Sequence, residues 1–311
     1  VSEKLVNSGM KPYYLAILVL LNAYRASSQK HYDVCYSEGL TILLLSTTDK
    51  KEDTLDVIAD NAMLSPDGTR VAYTKMEENH LRQVEIMDLK TGATTLVDAA
   101  CHQCYGPVWS PDGKQLVYNG FSGSNWNILL WPAGGGAAPV NITKRLNGTG
   151  TGRMYGQGDP FSPTWSADGK KILIQDMRNI LVLDLAGRVL DSLPISSVRK
   201  DADISSASRY LLSRDETKII FDMQVNDSSE DDPPRAIYVY DRKKTNTIKV
   251  SPDGFQAFQP VLKGDRIFFN GYKVGADQSG PNLGMNIYSV AIDGAGFRLE
   301  YEDRRDFSYK K

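Results

Sequence analysis

The chain has 311 residues, with 36 Lys and Arg against 38 Asp and Glu and a net charge of −2. No basic run interleaves with aromatics, which argues against nucleic acid or an anionic membrane surface as a partner. The length would suit two ordinary domains, but closed all-β folds of this size form one, and no linker separates two cores.

The first residues differ from the rest. Met10-Lys-Pro precedes an apolar run from Tyr13 to Leu21, and Ala26-Ser-Ser28 follows. A charged start, a short apolar core and small residues before a cut after Ser28 read as a secretory signal over residues 1–28. The run is too short for an untilted span, which needs ~20 apolar residues. The alternatives are a buried helix or a retained anchor, and a retained segment is the one route to a membrane. Residues 29–311 then form a single domain.

From Tyr32 to Ile58 come strand-like runs at Asp33–Tyr36, Leu40–Leu45 and Leu55–Ile58. A recurring phrase follows: Leu64-Ser-Pro-Asp-Gly68, Trp109-Ser-Pro-Asp-Gly113 and Trp165-Ser-Ala-Asp-Gly169, then worn copies at Leu212-Ser-Arg-Asp-Glu216 and Leu262-Lys-Gly-Asp265. Successive copies lie about 45 to 56 residues apart, a period that signals a repeat architecture. Pro, Asp and Gly at these offsets suit a tight turn ending in a left-handed residue. An apolar run follows each copy: Val71–Tyr73, Leu116–Tyr118, Ile172–Ile174, Ile219–Phe221 and Ile267–Phe269. A second strand pair completes each unit, as in Gln83–Met87 with Thr94–Val97 and Asn286–Val290 with Phe297–Tyr301. Each unit is a four-stranded antiparallel meander, and radial repetition of meanders makes a β-propeller.

These residues resemble the TolB-like six-bladed propellers, whose repeat centres on Trp-Ser-Pro-Asp-Gly. The resemblance covers roughly Cys35 to the C-terminus and implies an all-β, six-bladed fold. Five full units run from Ala59 to Tyr301. The economical sixth blade takes its inner strand from Phe307-Ser-Tyr309 and its outer three from the N-terminal region, so that both chain ends close the ring. Closure removes exposed sheet edges.

Trp109 and Trp165 precede the turn and read as packing between blades. Cys101-His-Gln-Cys104 is a CxxC pair with Cys35 left over. A local Cys101–Cys104 disulfide suits an oxidising compartment. Free thiols are the other reading, and a metal centre lacks the further ligands it would need. Sequons stand at Asn141, Asn147 and Asn226 and matter only in a eukaryotic source.

In a propeller the loops from one blade to the next gather on one face around the channel, where function concentrates. The longest is Lys144–Ser162, with five glycines around Arg153, Tyr155 and Asp159. It reads as a mobile cover of the channel mouth or as a ligand-gating loop. Asp201 and Asp203 precede the fourth blade and could face the same channel, and Glu230-Asp-Asp232 is an exposed acidic loop. Three scattered histidines, His31, His80 and His102, and the lack of a Gly-x-Ser-x-Gly elbow supply no catalytic constellation. No cofactor or metal is indicated.

Two functions follow. The first is an exported, non-catalytic propeller, secreted or periplasmic, that binds a protein, self-assembles or acts as a scaffold in the envelope or extracellular space. The resemblance implies partner docking by analogy of fold. The second is an enzyme acting on sugars or small ligands at the channel mouth.

Overall fold

A computed structural model describes residues 32–38, 40–46, 51–77, 81–122, 124–146, 158–200, 205–224, 234–275 and 286–301. It is a six-bladed β-propeller. The first blade is β4 (Ala59–Leu64), β5 (Arg70–Met76), β6 (Arg82–Asp88) and β7 (Thr94–Leu96). The second is β8 (Cys104–Trp109), β9 (Gln115–Ser122), β10 (Asn125–Pro132) and β11 (Val140–Asn141). The third is β12 (Phe161–Trp165), β13 (Lys171–Gln175), β14 (Asn179–Asp184) and β15 (Val189–Pro194). The fourth is β16 (Tyr210–Leu212), β17 (Lys218–Gln224), β18 (Arg235–Asp241) and β19 (Asn246–Lys249). The fifth is β20 (Phe255–Lys263), β21 (Arg266–Lys273), β22 (Asn286–Ala291) and β23 (Arg298–Tyr301). Each pairs in chain order as an antiparallel meander.

The sixth sheet holds β1 (Val34–Glu38), β2 (Thr41–Ser46) and β3 (Lys51–Leu55), in that order. The inner strand expected from Phe307–Tyr309 lies outside the described residues, as does the segment 1–28. The outermost strand differs from the sequence reading, which placed it at Leu55–Ile58. Leu55 ends β3, and the rest of that stretch is the connection into the first blade, with Ile58 exposed and the Val57 N–H bonded to the Leu55 carbonyl at 2.9 Å. Lys51-Glu-Asp-Thr-Leu55 carries no apolar alternation because it is an edge strand with little to bury.

The second strand of each blade explains the continuous apolar runs. A strand covered on both faces needs apolar residues at successive positions rather than alternate ones. Val71 and Tyr73 pack toward the sixth sheet with Ile42, while Ala72 packs toward the second blade with Leu116, Tyr118 and Trp109. Val117 then joins Ile172 and Ile174, Leu173 joins Ile219 and Phe221, and Ile220 joins Ile267 and Phe269. The core is therefore a series of layers between blades. A single helical turn, Ile195–Val198, closes the outer side of the layer between the third and fourth blades with both named residues buried.

The phrase itself builds one turn four times. In each, the serine hydroxyl donates to the aspartate two residues on, at 2.6 Å for Ser65–Asp67 and 2.7 Å for Ser110–Asp112 and Ser166–Asp168. The same serine oxygen accepts the N–H five residues on, as from Arg70 at 2.9 Å. The worn fourth copy makes the identical turn, Ser213–Asp215 at 2.6 Å, with Glu216 in the left-handed position at φ 59°. Its carboxylate is held by Lys171 of the third blade at 2.5 Å. Trp109 and Trp165 join blades as expected, their indole N–H groups donating to the carbonyls of Met63 at 3.1 Å and Val108 at 3.0 Å.

Candidate functional site at the channel and its entrance

Four of the five described inner strands carry an irregularity where they face the channel, the fourth blade's being regular. The register shifts between Asp60 and Met63, Tyr105 and Val108, Phe161 and Thr164, and Phe258 and Val261. At each shift one residue takes positive φ: Asn61, Gly106, Ser162 and Gln259. Such a bulge turns an N–H out of its own ladder, and a buried N–H needs a partner. At Gly106 and Ser162 the preceding blade supplies it. The second strand of each blade follows three apolar residues with one polar residue: Thr74, Asn119, Gln175, Asp222 and Asn270. The Gly106 N–H donates to Thr74 Oγ1 at 3.0 Å and the Ser162 N–H to Asn119 Oδ1 at 3.1 Å. The amide of Gln175 donates to the Ser205 carbonyl at 2.8 Å. These groups form a polar girdle that joins neighbouring blades near the channel.

The fourth blade breaks this pattern twice. At its inner-strand position, four residues before Ser213, stands Arg209, and its girdle residue is the one carboxylate of the five, Asp222. The Arg209 guanidinium donates to Asn61 Oδ1 of the first blade at 3.5 Å. It also lies against the open side of Gly106 in the second blade, where a Cβ would meet it at 3.8 Å. The first blade stands opposite the fourth in a ring of six, so this side chain spans the channel. Burial pushes the Arg209 pKa down, with Asp222, Tyr105 and Asp60 opposing. Asp222 is itself pushed up, since burial outweighs the pull of Arg235 and Arg209. Arg235 Nε donates to Asp222 Oδ2 at 2.8 Å. Asp60 has one buried carboxylate oxygen with no hydrogen-bond partner.

A second cluster lies on the face where the blade connections emerge. Arg82 sits 4.4 Å above the Tyr105 ring and 5.6 Å from that of Trp126. Trp126 in turn contacts Tyr105 edge-on at 5.2 Å, Phe121 at 5.2 Å and Phe161 at 6.3 Å. Arg82 Nε donates to Gln103 Oε1 at 3.1 Å. Tyr105 links the two clusters: burial raises its pKa while Arg82 and Arg209 both pull it back.

Of the residues singled out in the sequence, Asp159 belongs to this face. It is buried and accepts the Trp126 backbone N–H at 3.2 Å. Arg153, Tyr155, Asp201, Asp203, Asn147, Asn226, His31 and His80 lie outside the described residues. Cys101 and Cys104 are joined by a disulfide in the connection between the first and second blades, and both are buried; Cys35 carries a free thiol. The Asn141 amide donates to Asn127 Oδ1 at 2.7 Å, so its nitrogen is engaged within the blade. His102 is exposed. Among the described residues no group of three or more His, Cys, Asp or Glu could hold a metal ion. No described helix is long and apolar enough to cross a membrane. Sequence reasoning missed Arg209, Asp222, Arg82 and Tyr105. Aligning the copies four residues ahead of each turn would have isolated Arg209.

No family model matches the chain. Among solved structures, a protein of Agrobacterium tumefaciens assigned as a TolB superposes with a TM-score of 0.58 at 17% identity, over 87% of this chain and 90% of that one. TolB of Acinetobacter baumannii gives 0.57 at 16% identity, over 85% of this chain and 60% of that one. The fold is that of the TolB propellers. A puromycin-hydrolysing peptidase of Mycobacterium tuberculosis also shares it, with a TM-score of 0.53 at 15% identity over 90% of this chain but 44% of the peptidase. A curated relative, the uncharacterised peptidase YuxL of Bacillus subtilis, is 30% identical over 116 residues, 35% of this chain and 16% of YuxL. The chain thus matches only a small part of that relative. The fold is shared by TolB proteins and a peptidase, so the site must carry the functional argument.

Proposed function

We propose that this TolB-like propeller is a non-catalytic protein-binding module, exported to the envelope or extracellular space, that docks its partner on the face where the blade connections emerge. The observation that carries the reading is where the repeat is broken. The turn face repeats one hydrogen-bond scheme from blade to blade. The opposite face collects the exceptions: Arg209 across the channel, the Arg82–Tyr105–Trp126 stack and the long Lys144–Ser162 connection. Aromatic residues and arginine are the types that dominate protein interfaces energetically. Arg153, Tyr155, Asp159, Asp201 and Asp203 lie in sequence between blades and are proposed as contacts. Export rests on the signal-like residues 1–28 and on the disulfide.

The test is affinity capture from the native source with full-length protein and with a variant whose 147–157 segment is replaced by two glycines. Surface connections carry little core, so folding should be nearly unchanged. Loss of the captured partner supports the reading. Equal recovery by both proteins overturns this face as the contact.

A second reading has one observation behind it. The peptidases that share the fold are longer than the part this chain matches. On that reading the propeller works beside a hydrolytic domain and admits its substrates. Peptide hydrolysis by the purified chain, or by a complex it forms, would favour it.

A further inference from the structure

Arg209 is a half-buried cation inside the ring with little to hold it. Among the described residues its guanidinium makes one side-chain hydrogen bond, to Asn61, at the 3.5 Å limit of such contacts. A guanidinium has five N–H donors, and those of Arg209 that no protein group takes are left for a ligand or water in the channel. The nearby carboxylates do not meet the demand. Asp222 is bonded to Arg235, Asp159 to the Trp126 backbone, and no hydrogen bond joins Asp60 to Arg209 although Asp60 acts on it electrostatically. Arg82 repeats the situation at the surface. Its Nε is used by Gln103, while the flat guanidinium lies on Tyr105 and Trp126 with no further hydrogen bond from its terminal nitrogens among the described residues. Both guanidiniums act on the Tyr105 hydroxyl.

We propose that the channel mouth between the first, second and fourth blades is a carboxylate-recognition site: it takes an acidic peptide segment of the partner, with one carboxylate forked by Arg209 and a second by Arg82. This deepens the protein-binding reading and rests on it. The fork geometry suits planar carboxylates, which accept two parallel N–H bonds. The aromatic faces of Tyr105 and Trp126 supply apolar contact between the two charges. An extended nucleic acid is disfavoured by the balanced charge, 36 cationic against 38 anionic residues, with no basic run. Arg209 is partly desolvated in the free protein, so a carboxylate arriving there gains more than it would at an open surface.

The probe is N-acetylated, C-amidated octaglutamate, titrated into the full chain at low salt and followed by calorimetry and by tryptophan fluorescence. Octaglutamate should bind and perturb the fluorescence, and octaglutamine and octalysine should not. Arg209→Gln and Arg82→Gln should each weaken binding at least about tenfold. Arg242→Gln should not; that side chain bonds Asp191 and the Glu216 carbonyl on the opposite face. If Arg209→Gln unfolds the chain, Arg82→Gln and Arg209→Lys, which keeps the charge but loses the fork, carry the test. No octaglutamate binding, or binding unchanged in Arg82→Gln and in a folded Arg209 variant, overturns the proposal. So does displacement of the peptide by an equal charge of inorganic phosphate, which would make the site one for a free oxyanion. A partner captured equally by Arg209→Gln and wild type, but lost on shortening residues 147–157, sinks this proposal and leaves the protein-binding reading standing.

Discussion

Asn119 of the second blade accepts the backbone N–H of Ser162 in the third, at 3.1 Å. Both residues are buried, and the bond exists because Ser162 sits at φ 52° in a bulged strand whose own ladder cannot use that N–H. The contact is one of the stitches from which the ring is assembled. Removing it should cost more than a surface bond.

We expect Asn119→Leu to lower stability by about 1–3 kcal/mol, the cost of leaving a buried N–H unpaired. Thr74→Val should act similarly through the Gly106 N–H. Urea unfolding reads both as a lower midpoint at unchanged slope. A midpoint equal to wild type in both would mean that the girdle contributes nothing.

Two glycines with similar backbones separate strain from crowding. Gly92 and Gly187 have φ of 71° and 78°, so alanine meets a comparable left-handed penalty of about 1 kcal/mol at each. A Cβ at Gly92 meets nothing within 4 Å, whereas at Gly187 it would lie 1.7 Å from the Ile142 carbonyl oxygen of the neighbouring blade. Gly187→Ala should therefore destabilise by several kcal/mol more than Gly92→Ala, on the scale of overpacked cores. Equal thermal shifts would contradict the close approach of these two blades.

The cysteines should differ sharply in chemistry. Closing so short a loop stabilises by about 2 kcal/mol in the chain-entropy model, so replacing both Cys101 and Cys104 by Ala should lower the unfolding midpoint accordingly. Burial pushes the Cys35 thiol up to about 12. At pH 8.5 it is protonated and should resist iodoacetamide in the native state. Mass spectrometry should show no adduct before denaturation and one after it, without reductant. Rapid native labelling of Cys35 would contradict a raised thiol.

The turn aspartates give a pH dependence of definite sign. The Ser213 hydroxyl, then the Thr217 hydroxyl and N–H, hold Asp215 down to about 2. The Lys244 N–H, then Lys218, does the same for Asp241. Unfolded, each titrates near ~3.9. A depressed folded value means that the contribution is fully present above about pH 4 and is lost as pH falls toward 2. Asp215→Ala should unfold at lower temperature than wild type at pH 7, with the gap closing near pH 2. A gap that stays constant would show that the charge is irrelevant to the turn.

The turn phrase and the apolar run after it made the fold legible in the sequence, because each blade must solve the same two local problems of reversing a strand and burying it on both faces. Even the worn fourth copy keeps Ser213 and Asp215, the residues that make the hydrogen bonds. The Lys51–Leu55 strand was not legible, since an edge strand has no apolar face to reveal it. The channel cluster was harder still. Arg209 meets Asn61 across 148 residues, and only the closed ring brings those positions together. The polar residues at Thr74, Asn119, Gln175, Asp222 and Asn270 were visible as a column, but their meaning depends on bulges that pattern alone does not announce.

The most direct test of the binding face is site-specific photocrosslinking in the native source, with the photoreactive residue placed in turn at Ser206 on the connection face and at Pro111 on the turn face. We expect a discrete adduct from Ser206 and none from Pro111. An adduct from Pro111 alone would place the partner on the opposite face and contradict the proposed function.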